Sequence, residues 1–151
     1  LHSVKVIAMV GASSNVVRPS YLVMQYLLSK GYDVIPVNPG LAGRELQGKM
    51  VYGTLKDIPQ AIDMVDIFRN SDAAGAIVDE ALTLTPLPSV IWMQLSVRDD
   101  AAAMRAEAAG VKVVMNRCPK MEYGMLSSRR QNMHESGKMQ SLGLGVIPTK
   151  R

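Results

Sequence analysis

Between residues 6 and 20 the chain reads VIAMVGASSNVVRPS, an apolar run that stops at Gly11. Ala12, Ser13, Ser14 and Asn15 follow, and Arg18-Pro19-Ser20 leads into an amphipathic stretch. Gly11 permits close backbone approach, the hydroxyls and the amide donate hydrogen bonds, and Arg18 adds a full charge. A strand, a tight turn and a helix start in this order cradle phosphate. The first N–H groups of a helix lack intrahelical partners, and its dipole favours an anion there. The plain alternative is a β–α turn that merely uses small residues.

Other reactive chemistry is sparse. His2 and His134 lie towards the two ends of the sequence, outside the strand and loop framework. Neither suits acid–base or phosphohistidine work, and no Ser-His-Asp set or metal-ligand cluster appears. Asp63 and Asp66 flank a strand and read as solvated or capping groups. Cys118 is the lone cysteine, which excludes an internal disulfide and agrees with a reducing cytoplasm. It stands between Arg117 and Pro119, and with Lys120 nearby its pKa is open to lowering; a small packed residue is the plainer reading. The methionines read as core filler.

These residues need a scaffold, and strand-like runs alternate with helix-like runs. Lys5–Val10, Asp33–Val37, Met64–Phe68, Ser89–Gln94 and Val111–Met115 read as strands. Pro19–Lys30 reads as a helix with Pro in its first turn and Gly31 just past its end. Its apolar residues Leu22, Val23, Tyr26 and Leu27 recur at helical spacing. Ser71 is expected to cap a helix running to about Leu82, and Asp99 and Asp100 to start one ending at Gly110. Residues 41–60 read as irregular, with a helical turn near Leu55–Ile58, and Pro119–Ser127 as a last short helix. Strands apolar on both faces, alternating with helices, predict a Rossmann-like α/β fold. It is a doubly wound parallel sheet of about five strands in three layers, α/β/α. Ligands of such sheets bind beyond the strand carboxyl ends, where the strand order reverses.

Composition narrows the ligand. The 151 residues fit one domain, and no apolar run reaches the roughly 20 residues of a membrane helix. The stretch HSVKVIAMVGA lacks the basic and cleavable regions of a leader, so none is expected. The net charge of +4 resides in residues 127–151, which carry five Lys or Arg against Glu135, while residues 1–126 balance twelve against twelve. That tail reads as a mobile basic extension of a domain spanning 1–126. With 5% aromatics as well, a nucleic-acid surface is not expected. Homo-oligomerisation is left open.

A NAD or NADP site is the first rival for the phosphate turn. Its G-x-G-x-x-G fingerprint fails, because GASSNV supplies only Gly11. The acid that grips ribose at the end of the second strand is missing too. That strand ends Val37-Asn38-Pro39, and Asp33 lies at its other end. Basic residues instead follow every strand: Arg18, Arg44, Arg69, Arg98, then Arg117 and Lys120.

The segments VGAS, RPSY, YLLSKGYDVIPVNP, VDIFR, IWMQ and NRCPK occur in this order and spacing. Together they resemble the small stand-alone CoA-binding proteins, similar in turn to the N-terminal domain of the succinyl-CoA synthetase α subunit. The match runs from about Val6 to Leu126. The resemblance implies a Rossmann-like fold that binds coenzyme A or an acyl-CoA as a small-molecule ligand at the strand carboxyl ends; the sparse reactive residues add the expectation of no catalysis. It implies a diphosphate loop at Gly11, Ala12 and Ser13, beside which Ser14 and Arg18 are read from the residues themselves. It also implies an adenosine wall at Val37, Asn38 and Pro39. Phe68 and Arg69 border the adenine and pantetheine, and Trp92, Met93 and Gln94 flank the pantetheine arm. Relatives often carry a lysine after the Asn-Pro pair; Gly40-Leu41 stand there, with Arg44 as its candidate replacement. An NAD(P)-type oxidoreductase domain and an interaction module that has lost its ligand are the alternatives.

Overall fold

The computed structural model describes residues 4–117; the expected helix at 119–127, the tail, both histidines and Cys118 lie outside them. All five expected strands form. Strand β1 (Val6–Val10) leads through the Gly11–Arg18 loop to helix α1 (Pro19–Ser29), and β2 (Asp33–Val37) follows. Next come two short strands, β3 (Glu45–Leu46) and β4 (Lys49–Met50), then β5 (Met64–Ile67), α2 (Ser71–Ala81), β6 (Val90–Met93), α3 (Asp100–Ala108) and β7 (Lys112–Val114). The main sheet has the order β2-β1-β5-β6-β7, every pair parallel. The order reverses between β1 and β5.

Two departures from the sequence reading concern short elements. Residues 41–60 contain the antiparallel β3–β4 hairpin. Two-residue strands are too short to show a period of two, so composition alone cannot reveal them. The helical turn at Leu55–Asp57 does form. Helix α2 is capped by Asn70, whose side chain accepts from the Ala73 N–H, so Ser71 is its first helical residue and not its cap.

Two apolar layers hold the sheet. On one face Ile7, Met9, Val34, Met64 and Trp92 pack with Val23, Met24 and Leu27 of α1. On the other Ala8, Val65, Ile67, Ile91 and Met93 pack with Ala74, Val78, Ala81, Ala102 and Ala106 of α2 and α3. Alanines on those two helices permit close approach to the sheet. Successive residues of a parallel strand serve opposite layers, which explains why these strands are apolar throughout.

Candidate functional site

The strand carboxyl ends enclose a cavity of about 680 Å³. Its base is the turn after β1. Gly11 has φ +93°, and a Cβ there would stand 3.1 Å from the Phe68 carbonyl and from Cδ of Arg69. Only glycine combines that backbone angle with that clearance. The Gly11 N–H donates to the Val37 carbonyl at 3.0 Å, tying the turn to β2. Asn15 and Ser13 shape the loop internally: the Asn15 N–H donates to Ser13 Oγ and the Val17 N–H to Asn15 Oδ1.

Helix α1 then begins without a side-chain cap. Arg18 is its N-cap residue and Pro19 follows. Helices α2 and α3 are closed by Asn70 and Asp99, which accept from the N–H groups of Ala73 and Ala102. The α1 terminus faces the cavity, where Arg18, Pro19, Ser20 and Val23 form lining. An uncapped helix start with an arginine beside it has the electrostatics to favour an anion.

Each neighbouring strand contributes a wall. After β2, Asn38 and Pro39 line the cavity. The Asn38 amide donates to the Ala12 carbonyl at 2.8 Å while its oxygen accepts from the Gly40 N–H. Asn38 thus fixes the two loops against each other. After β5 come half-buried Phe68 and exposed Arg69, and after β6 the turn Gln94–Val97. Among the described residues, two arginines and no carboxylate line the cavity.

Of the residues singled out from sequence, Gly11, Ala12, Ser13, Arg18, Asn38, Pro39, Phe68, Arg69 and Gln94 meet here. Ser14 is exposed on the loop, and Arg44 is exposed where the chain enters β3; neither lines the cavity. Val37, Trp92 and Met93 differ from expectation by facing the core layers. Trp92 is buried and its indole N–H donates to the Arg117 carbonyl at 2.8 Å, so it serves as a stitch between strand ends. Arg98 points elsewhere and pairs with Asp100. The sequence reading did not single out Val10, Pro19, Ser20, Val23, Leu95, Ser96 or Val97 as lining. Their types are ordinary, and only the fold brings them to the edge.

The two strand carboxylates also part ways. Asp63 behaves as a cap, accepting from the N–H groups of Lys5 and Val6. Asp66 is not solvated: it is fully buried, between Met9 and Trp92 in register. Neither of its oxygens has a hydrogen-bond partner. Burial pushes its carboxyl well above the ordinary carboxylate range. Asp33 stands at the amino end of β2, engaged by Lys49 and Gln60 and far from any ribose at the carboxyl edge. Among the described residues no cluster of His, Cys, Asp and Glu could hold a metal, and no helix is long and apolar enough to cross a membrane.

Sheet order, layering and the cradle after β1 define a Rossmann-like α/β protein. A family model described as a CoA binding domain matches residues 5–124. The chain belongs to this CoA-binding domain family. An uncharacterized Bacillus subtilis protein, YneT, is 33% identical over 121 residues, covering 80% of this chain and 87% of YneT. A hypothetical protein from Pyrococcus horikoshii has 37% identity and a TM-score of 0.78, over 83% of this chain and 85% of that one. A Thermus thermophilus protein has 34% identity and a TM-score of 0.79, over 83% and 92%. A dinucleotide-forming acetyl-coenzyme A synthetase from Ca. Korarchaeum cryptofilum, solved with phosphate and ADP, shares the fold at a TM-score of 0.63 and 24% identity. That match covers 72% of this chain and 25% of the synthetase.

Proposed function

We propose that this protein binds coenzyme A or an acyl-CoA in the carboxyl-edge cavity and carries out no chemistry on it. The observation that carries the reading is the lining among the described residues: an uncapped helix start, Arg18 and Arg69, and no carboxylate. A dinucleotide site of the NAD type needs an acid after β2. Asn38 and Pro39 occupy that place, and Asn38 is already committed to the Ala12 carbonyl. CoA suits this chemistry because it carries a diphosphate and keeps a phosphate on its ribose, where an acid would repel it. In this reading the diphosphate lies on Gly11–Ser13 and the α1 terminus, with Arg18 alongside. The adenosine lies against Asn38 and Pro39, and the pantetheine arm passes Phe68 towards Gln94. Among the described residues the cavity lining offers no carboxylate as general base or nucleophile, and this favours a binding role over a catalytic one.

Titration calorimetry with CoA and with NAD tests the reading. CoA is expected to bind far more tightly. Equal or reversed affinities overturn it.

A further inference from the structure

The wall of the cavity after β6 is a turn held in an unfavourable form. The Val97 N–H donates to the Gln94 carbonyl at 2.8 Å, closing a four-residue turn whose third residue is Ser96. Ser96 has φ +72°. Turns with a positive φ at this place normally use glycine or asparagine. A serine there needs outside support, and the structure supplies it from another strand. The Ser96 N–H donates to Oδ1 of Asn116 at 2.6 Å. Asn116 follows β7 and is itself left-handed, with φ +58°. It is anchored in turn: the Arg117 N–H donates to the Met93 carbonyl and the Trp92 indole to the Arg117 carbonyl. On the other side Ser71 Oγ accepts from the Arg98 N–H at 2.9 Å and donates to the Ser96 carbonyl at 3.4 Å. Both peptide groups of Ser96 are therefore pinned by residues that do not line the cavity.

The chemistry of the turn says which part of a ligand meets it. It stands two strand positions from β1 in the sheet order, about 10 Å away at ordinary strand spacing. A diphosphate seated after β1 does not reach it. Among the lining residues Gln94–Val97 there is no cation. They offer the apolar, half-exposed Leu95 and the neutral residue Gln94. A wall without charge, apolar at Leu95, fits an uncharged arm better than a phosphate.

We propose that Asn116 is a positioning residue for ligand binding. It holds the Gln94–Val97 turn in its left-handed form, and so sets the wall that receives the non-nucleotide arm of the ligand. This rests on the CoA reading above.

The test measures calorimetric affinity for two probes, CoA and adenosine 3′-phosphate 5′-diphosphate, which is CoA without its pantetheine arm. Asn116→Ala is expected to weaken CoA binding about tenfold and to leave the shorter probe unchanged. Asn116→Asp keeps an acceptor and restores CoA binding. The double variant Ser96→Gly with Asn116→Ala also recovers it, because glycine adopts the turn without a latch. If Asn116→Ala does not fold, the double variant decides: CoA affinity near that of the wild type supports the proposal, and its loss overturns it. Unchanged CoA affinity in a folded Asn116→Ala overturns it, as does an equal loss for both probes. A wild-type protein that binds neither probe overturns the CoA reading and this proposal with it, whereas the other failures leave that reading standing.

Discussion

The two faces of the sheet differ in what they bury. Against α2 and α3 the layer is apolar, from Ala8, Val65 and Ile91 to Ala74 and Ala106. The buried polar residues among those described are Ser20, Asp66 and Gln94. Ser20 is on α1, and strand alternation puts Asp66 and Gln94 on the α1 face, opposite Ile67 and Met93. Helix termini repeat the contrast. Those of α2 and α3 are closed by Asn70 and Asp99, while that of α1 opens into the cavity. One face is finished as a packing layer; the other carries buried groups without hydrogen-bond partners, at a cost in stability.

The largest effect that separates the faces is a cavity mutation in the closed layer. Ile91 is fully buried there. Ile91→Ala removes buried methyl groups that the surrounding layer only partly replaces, and costs about 2–5 kcal/mol of stability. Urea denaturation reads this loss, and CoA affinity, measured while the variant is folded, should stay as in the wild type. A comparable fall in affinity would mean that the α2–α3 layer also shapes the site.

The converse change belongs at the open helix terminus. Arg18 is exposed and lines the cavity, so its removal leaves no hole in the core. Arg18→Ala is expected to cost about 1.5–3 kcal/mol of CoA binding, the worth of a charge-assisted contact, or roughly tenfold to a hundredfold in affinity. The urea midpoint should barely move. Normal CoA binding in this variant would show that Arg18 faces solvent in the complex. Ser13→Ala, at the same turn, is expected to act in the same direction.

How much of this was legible in the sequence follows from where each signal resides. The parallel strands were legible because both faces are buried, which leaves short apolar runs bounded by Gly, Pro and Asn. The turn after β1 was legible because a turn from strand to helix is a local feature, written in Gly11, Ser13 and Arg18. The far wall was not. Its third turn residue is Ser96, where the usual mark is glycine, and its support comes from Asn116, twenty residues on. Trp92 and Met93 were misplaced because an apolar segment does not say which of its residues reach the end of the strand. Asp66 was misread for a related reason. A carboxylate reads as a solvated or capping group at the flank of a strand, whereas Asp66 lies inside β5, and the packing of α1 over that face buries it.

Asp66 offers the last test of the contrast. Its register partners are Met9 and Trp92, and the layer it enters is that of Val23, Met24 and Leu27, with no charged residue among them. Neither oxygen has a partner, and burial raises the carboxyl well above its ordinary range. The folded protein thus holds a proton that the unfolded chain releases near about pH 3.9. Below that value Asp66 subtracts nothing through its charge. As pH rises above it, stability falls by up to about 1.4 kcal/mol per pH unit, until the folded-state carboxyl ionises as well. Asp66→Asn, close in shape and unable to ionise, should remove this slope. At neutral pH it should therefore be more stable than the wild type, because an amide carries no linkage cost as the pH rises. Urea midpoints of both proteins at a series of pH values from acid to neutral measure the difference, which cancels the slopes of the other carboxylates. A gap that widens as pH rises supports a neutral, unpartnered Asp66 in the α1 layer. A gap that stays constant, or a variant that loses stability at neutral pH, would mean that Asp66 is ionised and stabilised there, and the contrast between the two faces would lose a main support.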